Sequence, residues 1–225
     1  MSEPTRYADF PLRARKRART RVALVEALTV RLVDQSLDEV PVSELCDEVG
    51  ISQGTFFNHF PSKAHLLTHF IQLWSLKVAL LGSRAAAEHA SPLAAIEALF
   101  AATADETRAY PRVMSEIIAH QARGFEHEGM EPVELVERLL FLDDDPEAAS
   151  LPDEGLSTLL SGWLAAAVAR GLLPEGTDVM ELTLAVASVF FGVPLLLGRE
   201  SPELVGPLYA RQLQLVWAGA RSRWG

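Results

Sequence analysis

Two groups of residues in this chain have types and spacings that could do chemistry. The first is a set of pairs at metal-ligand spacing. His65 with His69, and Glu116 with His120, are each four residues apart and would share one helix face. Neither pair has third and fourth ligands at motif spacing, so no metal and no cofactor is expected. The second group is the run Ser52 to His59, reading Ser-Gln-Gly-Thr-Phe-Phe-Asn-His, which holds no carboxylate and is rich in short hydrogen-bonding groups. Such groups suit the donor and acceptor edges of base pairs, and Gln and Asn suit bidentate contact with adenine. No glycine-rich phosphate loop, nucleophile elbow or paired cysteines occur, so an enzyme is not expected. An all-helical enzyme carrying a docking module at its N-terminus is the rival class, and the missing catalytic constellation speaks against it.

The run must be held outward by something rigid, and its surroundings supply that. Val42 to Lys63 reads VSELCDEVGISQGTFFNHFPSK. Ser43 to Val49 forms one short helix and Ser52 to Phe60 a second, with Gly50 and Ile51 between them. Reversing direction in so few residues needs a left-handed backbone, which Gly50 permits. Cys46 falls where the two helices cross, and its small side chain lets them approach; as the one cysteine it excludes a disulfide framework and fits a reducing compartment. Leu45, Val49, Ile51, Phe56 and Phe60 face inward. Ser52 caps the second helix, and its first N–H groups point outward. Gln53, Gly54, Thr55, Phe57, Asn58 and His59 are left on the outer face.

A first helix from about Lys16 to Gln35, marked by Leu24, Leu28 and Leu32 at four-residue steps, would back this pair. Beyond Pro61 a long helix runs from Ser62, its N-cap, to about His89. Helical periodicity continues to the end, broken at clusters such as Gly124 to Pro132 and Asp143 to Pro152. The expected fold is all-α with about nine helices. Three short ones form a helix-turn-helix domain over residues 1–62 with a basic N-terminal arm, and a larger helical body fills 63–225. Leu182 to Gly198 lacks any charge, but it is short for a bilayer span and contains Gly192 and Pro194. A helix shared between core and subunit interface is expected there, and no membrane partner.

Charge follows the same division. Arg13, Arg15, Lys16, Arg17, Arg19, Arg21 and Arg31 stand against Glu26 alone between Pro11 and Arg31. Residues 1–70 balance nine basic against nine acidic side chains, so the whole net charge of −10 lies beyond Phe70. A basic end ahead of an acidic body suits presentation of that end to a polyanion. Met1 to Arg21 is polar and has no apolar core, so no secretory leader is expected and the location is cytoplasmic.

The stretch resembles the recognition helix of the TetR family of regulators, G-[VI]-S-x-G-T-[FL]-[YF]-x-[HY]-F-x-[SN]-K. Gly50, Ile51, Ser52, Gly54, Thr55, Phe56, Phe57, His59, Phe60, Ser62 and Lys63 match it. The preceding SLDEVPVSELCDEVG resembles the junction of the family's first two helices, and the likeness covers roughly residues 12–75. It is weaker from about Leu156 on, where GLLPEGTDVMELTLAVASVFFGVPLLL resembles the last helices of the family's effector domain. Two departures stand out. Phe57 lies where the family usually has Tyr, losing a phosphate donor that would contribute roughly 0.5–1.5 kcal/mol. Pro41 stands where a Ser or Thr cap is usual, so Ser43 caps one turn later or Pro41 begins the helix.

The resemblance implies a homodimer on double-stranded operator DNA, its half-sites roughly 34–36 Å apart. The DNA-binding set it implies is Arg17, Ser43, Ser52, Gln53, Gly54, Thr55, Phe57, Asn58, His59 and Lys63, with Thr55 and Lys63 on phosphates. The arm from Arg13 to Arg21 adds phosphate or minor-groove contact. It also implies a pocket for a small effector, and Phe70, Trp74, Phe100, Met114, Ile117, His120, Trp163 and Phe190 favour an apolar or aromatic ligand. Dimerisation is expected through Asp178–Leu197 and Ser201–Arg221, with Leu184, Phe191, Leu208, Leu215 and Trp217 in the interface. The function so read is a repressor released from its operator by that ligand. An activator, or an effector-independent DNA-binding protein of the same fold, is the alternative.

Overall fold

The computed structural model describes residues 6–123, 132–151 and 156–225. Among them it is all-helical, with ten α-helices, two 3₁₀ turns and no strand. The helices are α1 Leu12–Arg31, α2 Val42–Val49, α3 Gln53–His59, α4 Lys63–Glu88, α5 Pro92–Ala109, α6 Val113–Ala122, α7 Leu135–Phe141, α8 Leu156–Ala169, α9 Val179–Leu197 and α10 Val205–Trp224.

By contacts the chain forms two compact units, Met1–Lys77 with Glu116–Asp153, and Val78–Ser115 with Glu154–Gly225. The division expected between 62 and 63 does not coincide with these units, in the first of which α7 packs along α1. Two further differences from expectation lie in α1. It begins at Leu12 rather than Lys16, so Arg13 to Arg21 form helix rather than an arm. It ends at Arg31 because Leu32 to Ser36 turn through short-range hydrogen bonds.

In the first unit the stripe Leu24, Leu28 and Leu32 is buried together with Leu45, Phe56, Phe60, Leu66 and Leu67. Helix α2 starts directly after Pro41, which takes the N-cap position with extended backbone and no side-chain cap, and Ser43 lies within the first turn. Ser62 caps α4, its Oγ accepting from the His65 N–H at 3.4 Å.

The second unit is built on α5, α8, α9 and α10. Phe100, Phe190 and Tyr209 form its aromatic centre, with Phe100 4.6 Å from Tyr209 and 5.4 Å from Phe190 between ring centres. Pro194 lies inside α9 and cannot donate to the carbonyl four residues back, that of Phe190. The Tyr209 hydroxyl donates to this carbonyl instead, at 2.5 Å. Burial pushes that hydroxyl well above the usual tyrosine range, so it stays a donor.

A cleft of about 430 Å³ opens between α5 and α10, with Phe100, Ala104, Gly206 and Leu213 among its lining. It contains Phe100 of the residues expected to line a pocket. The others divide: Phe70, Trp74, Ile117 and His120 belong to the first unit, Met114, Trp163 and Phe190 to the second. All of these except Trp163 are buried, and His120 Nε2 lies 2.7 Å from Thr68 Oγ1.

Of the expected interface residues, Leu184 and Leu215 are 61% and 65% exposed, and Phe191 and Leu208 are half-buried. Trp217 is a correction: it is 5% exposed, on the side of α10 that faces its own unit. Met180, Leu195, Leu196 and Leu204 join the exposed apolar set. Helix α9 is long and apolar enough to cross a membrane by length and composition.

Candidate nucleic-acid interface

Gly50 sets the geometry. It ends α2 in the left-handed conformation, φ 74°, with its N–H on the Cys46 carbonyl, and Ile51 donates to the same carbonyl at 2.9 Å. The chain thus reverses within two residues and delivers Ser52 in extended backbone. Ser52 Oγ accepts from the Thr55 N–H at 3.1 Å and lies 2.9 Å from the Thr55 hydroxyl, so α3 starts with a side-chain cap. Phe56 is fully buried and Phe60 nearly so, which anchors α3 by one side. Burial raises the Cys46 thiol, with a smaller push from Asp47, as befits a packing residue beneath the pair.

The opposite side of α3 is bare. Gln53 with Phe57, and Gly54 with Asn58, are two i, i+4 pairs, and all four residues are exposed. Phe57 is 51% exposed and meets Phe56 edge-on, 5.2 Å between ring centres. A methyl group at Gly54 would meet nothing closer than Ser52 Oγ at 3.7 Å, so nothing within the chain requires glycine there. A helical glycine costs about 0.5–1 kcal/mol relative to alanine, and its presence leaves room for an outside surface to approach the backbone. Thr55 and His59 are half-buried at the edges of this face, and Ser43 is exposed on α2.

Several basic residues serve other ends than those expected of them. The Lys63 ammonium donates to the carbonyls of Asp38 and Val40, at 3.0 and 2.7 Å, and so ties the start of α4 to the loop before α2. Arg17 is half-buried, with Nε 3.5 Å from Glu134. Arg31 pairs with Glu44 and Glu48 and joins α1 to α2. Arg13, Lys16 and Arg19, at three-residue steps, remain exposed on α1, with Arg19 donating to the Tyr7 hydroxyl at 2.7 Å.

Arg21 is the residue whose role the sequence reading missed. It is 4% exposed and its Nε donates to Glu137 Oε1 at 2.5 Å. Nη1 donates to the His59 carbonyl at 3.0 Å, and Nη2 lies 3.2 Å from His69 Nδ1. Its planar face lies 4.5 Å from the Phe60 ring centre. Burial alone would push the Glu137 carboxyl up. Its contact with His69, the charge of Arg21 and the Glu134 N–H outweigh this and hold it below the ordinary glutamate range. One signal was present: Arg21 falls three before Leu24 and seven before Leu28, on the buried stripe of α1.

A buried-sided, outward-bare second helix after a two-residue turn defines a helix-turn-helix protein. Residues 24–70 match the model for bacterial regulatory proteins of the tetR family. By sequence, no curated protein matches it. Among solved structures, a putative transcriptional regulator of Pseudomonas aeruginosa PAO1 is similar at 19% identity, covering 98% of each chain with a TM-score of 0.57. FadR of Thermus thermophilus, a TetR-family repressor solved with lauroyl-CoA, is 19% identical over 87% of this chain and 92% of its own, TM-score 0.56. The ketosteroid transcriptional regulator KstR2 of Mycobacterium tuberculosis is 15% identical over 89% and 94%, TM-score 0.56. At these identities the likeness is one of fold.

Proposed function

We propose that this protein is a transcriptional regulator of the TetR family, a cytoplasmic homodimeric repressor that holds operator DNA through α3 and releases it when a small apolar or aromatic molecule binds its C-terminal body. The observation that carries the reading is the face of Gln53, Gly54, Phe57 and Asn58, exposed, free of carboxylate and anchored from behind by Phe56 and Phe60. Gln53 and Asn58 read base edges, Ser43, Ser52, Thr55 and His59 border them, and Arg13, Lys16 and Arg19 lie towards flanking phosphates. The exposed leucines of α9 and α10 meet a second copy of the chain rather than lipid. A ligand is supported by the fold's occurrence with lauroyl-CoA in Thermus FadR. Such a ligand acts by binding the released conformation more tightly than the DNA-bound one.

The test is selection of duplexes from a random pool by the purified protein, followed by a small-molecule panel. A two-fold symmetric site is expected, with Gln53→Ala and Asn58→Ala each weakening it about tenfold. Failure to enrich any site, or indifference to both substitutions, sinks the DNA reading. Release by polar metabolites alone sinks the ligand class. Effector-independent binding is the second reading, favoured by the burial of seven of the eight expected pocket residues; a folded protein that no panel member releases or stabilises supports it.

A further inference from the structure

We propose that Arg21 and Glu137 are positioning residues for DNA recognition, a buried pair that fixes where the C-terminal end of α3 lies. The proposal rests on the reading that α3 enters DNA. Helix α3 has only seven residues, too few to hold a conformation by itself. Its last carbonyls have no partners within the helix. The Arg21 guanidinium takes one of them, the His59 carbonyl, while lying over the Phe60 ring that ends the helix.

The position of that guanidinium is in turn dictated by Glu137. A buried charge without a partner is strongly unfavourable, so Arg21 must follow the carboxylate. The carboxylate itself cannot wander: Oε1 accepts from Arg21, and Oε2 accepts from the Glu134 N–H at 3.0 Å, closing the first turn of α7. His69 of α4 borders both partners, 3.2 Å from Arg21 Nη2 and 3.5 Å from Glu137 Oε1. Since a guanidinium has only donors, His69 Nδ1 is the acceptor there. Four elements, α1, α3, α4 and α7, therefore meet at one side chain.

Two consequences follow from the placement. Residues 24–70, the part that matches the family model, do not by themselves complete this reader. Its recognition helix is fixed through Arg21 by Glu137 on α7, 116 positions beyond Arg21 in the chain. A displacement of α7 reaches α3 through two hydrogen bonds, without passing along the whole of α4. Base-edge contacts need side chains placed closely, whereas phosphate contacts tolerate more. Losing the pair should therefore harm discrimination between duplexes before it harms binding to DNA in general.

The experiment compares the parent with the double variant Arg21→Met/Glu137→Met by anisotropy, on the selected operator duplex and on a random duplex at one salt concentration. Replacing a buried ion pair by apolar side chains of similar volume is often neutral or stabilising, which separates positioning from folding. The double variant is expected to keep a cooperative melting transition and to bind random duplex within about twofold of the parent, while operator discrimination falls about tenfold or more. The resonance of 4-fluorophenylalanine at position 57 should also move in the DNA-free variant, reporting α3 without any operator. A folded double variant with the parent's discrimination overturns the proposal, as does equal loss on both duplexes.

Should the double variant not fold, Arg21→Lys carries the same comparison. It keeps the charge opposite Glu137, but a single ammonium cannot span the carboxylate and the His59 carbonyl as the fork does. Discrimination retained there, or failure of both variants to fold, leaves the pair a plain stabiliser and the proposal falls. A parent that prefers no duplex shows instead that the functional reading is at fault, and shows it before any variant is made.

Discussion

Single side chains in this protein do unequal work, and the sharpest cases are those that repair a defect elsewhere. Tyr209 stands in for the N–H that Pro194 lacks, so the two residues are energetically coupled although fifteen positions apart in sequence. Tyr209→Phe should cost about 1–3 kcal/mol by removing the buried donor to the Phe190 carbonyl. In a Pro194→Ala background the helix can supply its own donor, and the same substitution should become nearly neutral. Urea unfolding of the four proteins measures this, and strict additivity would refute the coupling. Glu137 gives a pH-dependent case. Its folded carboxyl lies below the ordinary value, so its contribution is fully present above the unfolded pKa, about 4.3, and fades as pH falls through the folded one. Glu137→Gln should therefore cost most near neutrality, roughly 3–5 kcal/mol, and progressively less as pH falls through the lowered folded value and the parent's own carboxyl takes up its proton. A cost that stays constant with pH would show that the charge of Glu137 is not what matters.

At the scale of elements, two glycines separate backbone strain from crowding. A methyl group at Gly50 would meet nothing within 4 Å, so Gly50→Ala is opposed by the left-handed backbone alone and should cost about 1–2 kcal/mol. At Gly82 of α4 the backbone is ordinary, but a methyl group would lie 2.5 Å from the Trp163 ring. Gly82→Ala should therefore be eased by Trp163→Leu, whereas no second substitution nearby relieves Gly50→Ala; melting temperatures of the singles and the double decide it. The helix-turn-helix was legible in the sequence because its devices are local: a turn glycine, a cap at Ser52, and Phe56 and Phe60 on one side. The start of α1 was misplaced because the leucine stripe marks only where the helix is buried. Leu12 to Arg19 is rich in Arg and Ala, which favour helix without any stripe. The union of Arg21 with Glu137 and the two carbonyls that hold Lys63 could not be read, since spacing along a chain does not encode which distant helix packs beside it.

At the scale of the whole molecule the unresolved demand is the apolar side of the C-terminal helices. Met180, Leu184 and Leu195 follow one another along one side of α9, and Leu215 is exposed on α10. Within their own unit these helices are already satisfied, by the aromatic centre and by the ion pair between Arg223 and Glu181 at 3.0 Å, so the exposed leucines are not waiting for core. On the dimer reading they are covered by their counterparts, and each protomer then contributes one α3 to a shared duplex. Leu184 is a better probe of this than Phe191. Phe191 packs edge-on against Phe190, 5.0 Å between ring centres, so a charge there would disturb the core as well as the surface. Leu184→Glu with Leu215→Glu should leave the melting transition of each subunit cooperative and shift sedimentation from dimer to monomer. A monomer grips one half-site, and losing the linked second contact should weaken operator binding by roughly 100-fold or more. Binding to a single half-site duplex should change little, because nothing in α1 to α3 has been touched. If the double variant still sediments as a dimer, the exposed leucines serve some other partner; if it is a monomer with unchanged operator affinity, reading does not depend on pairing.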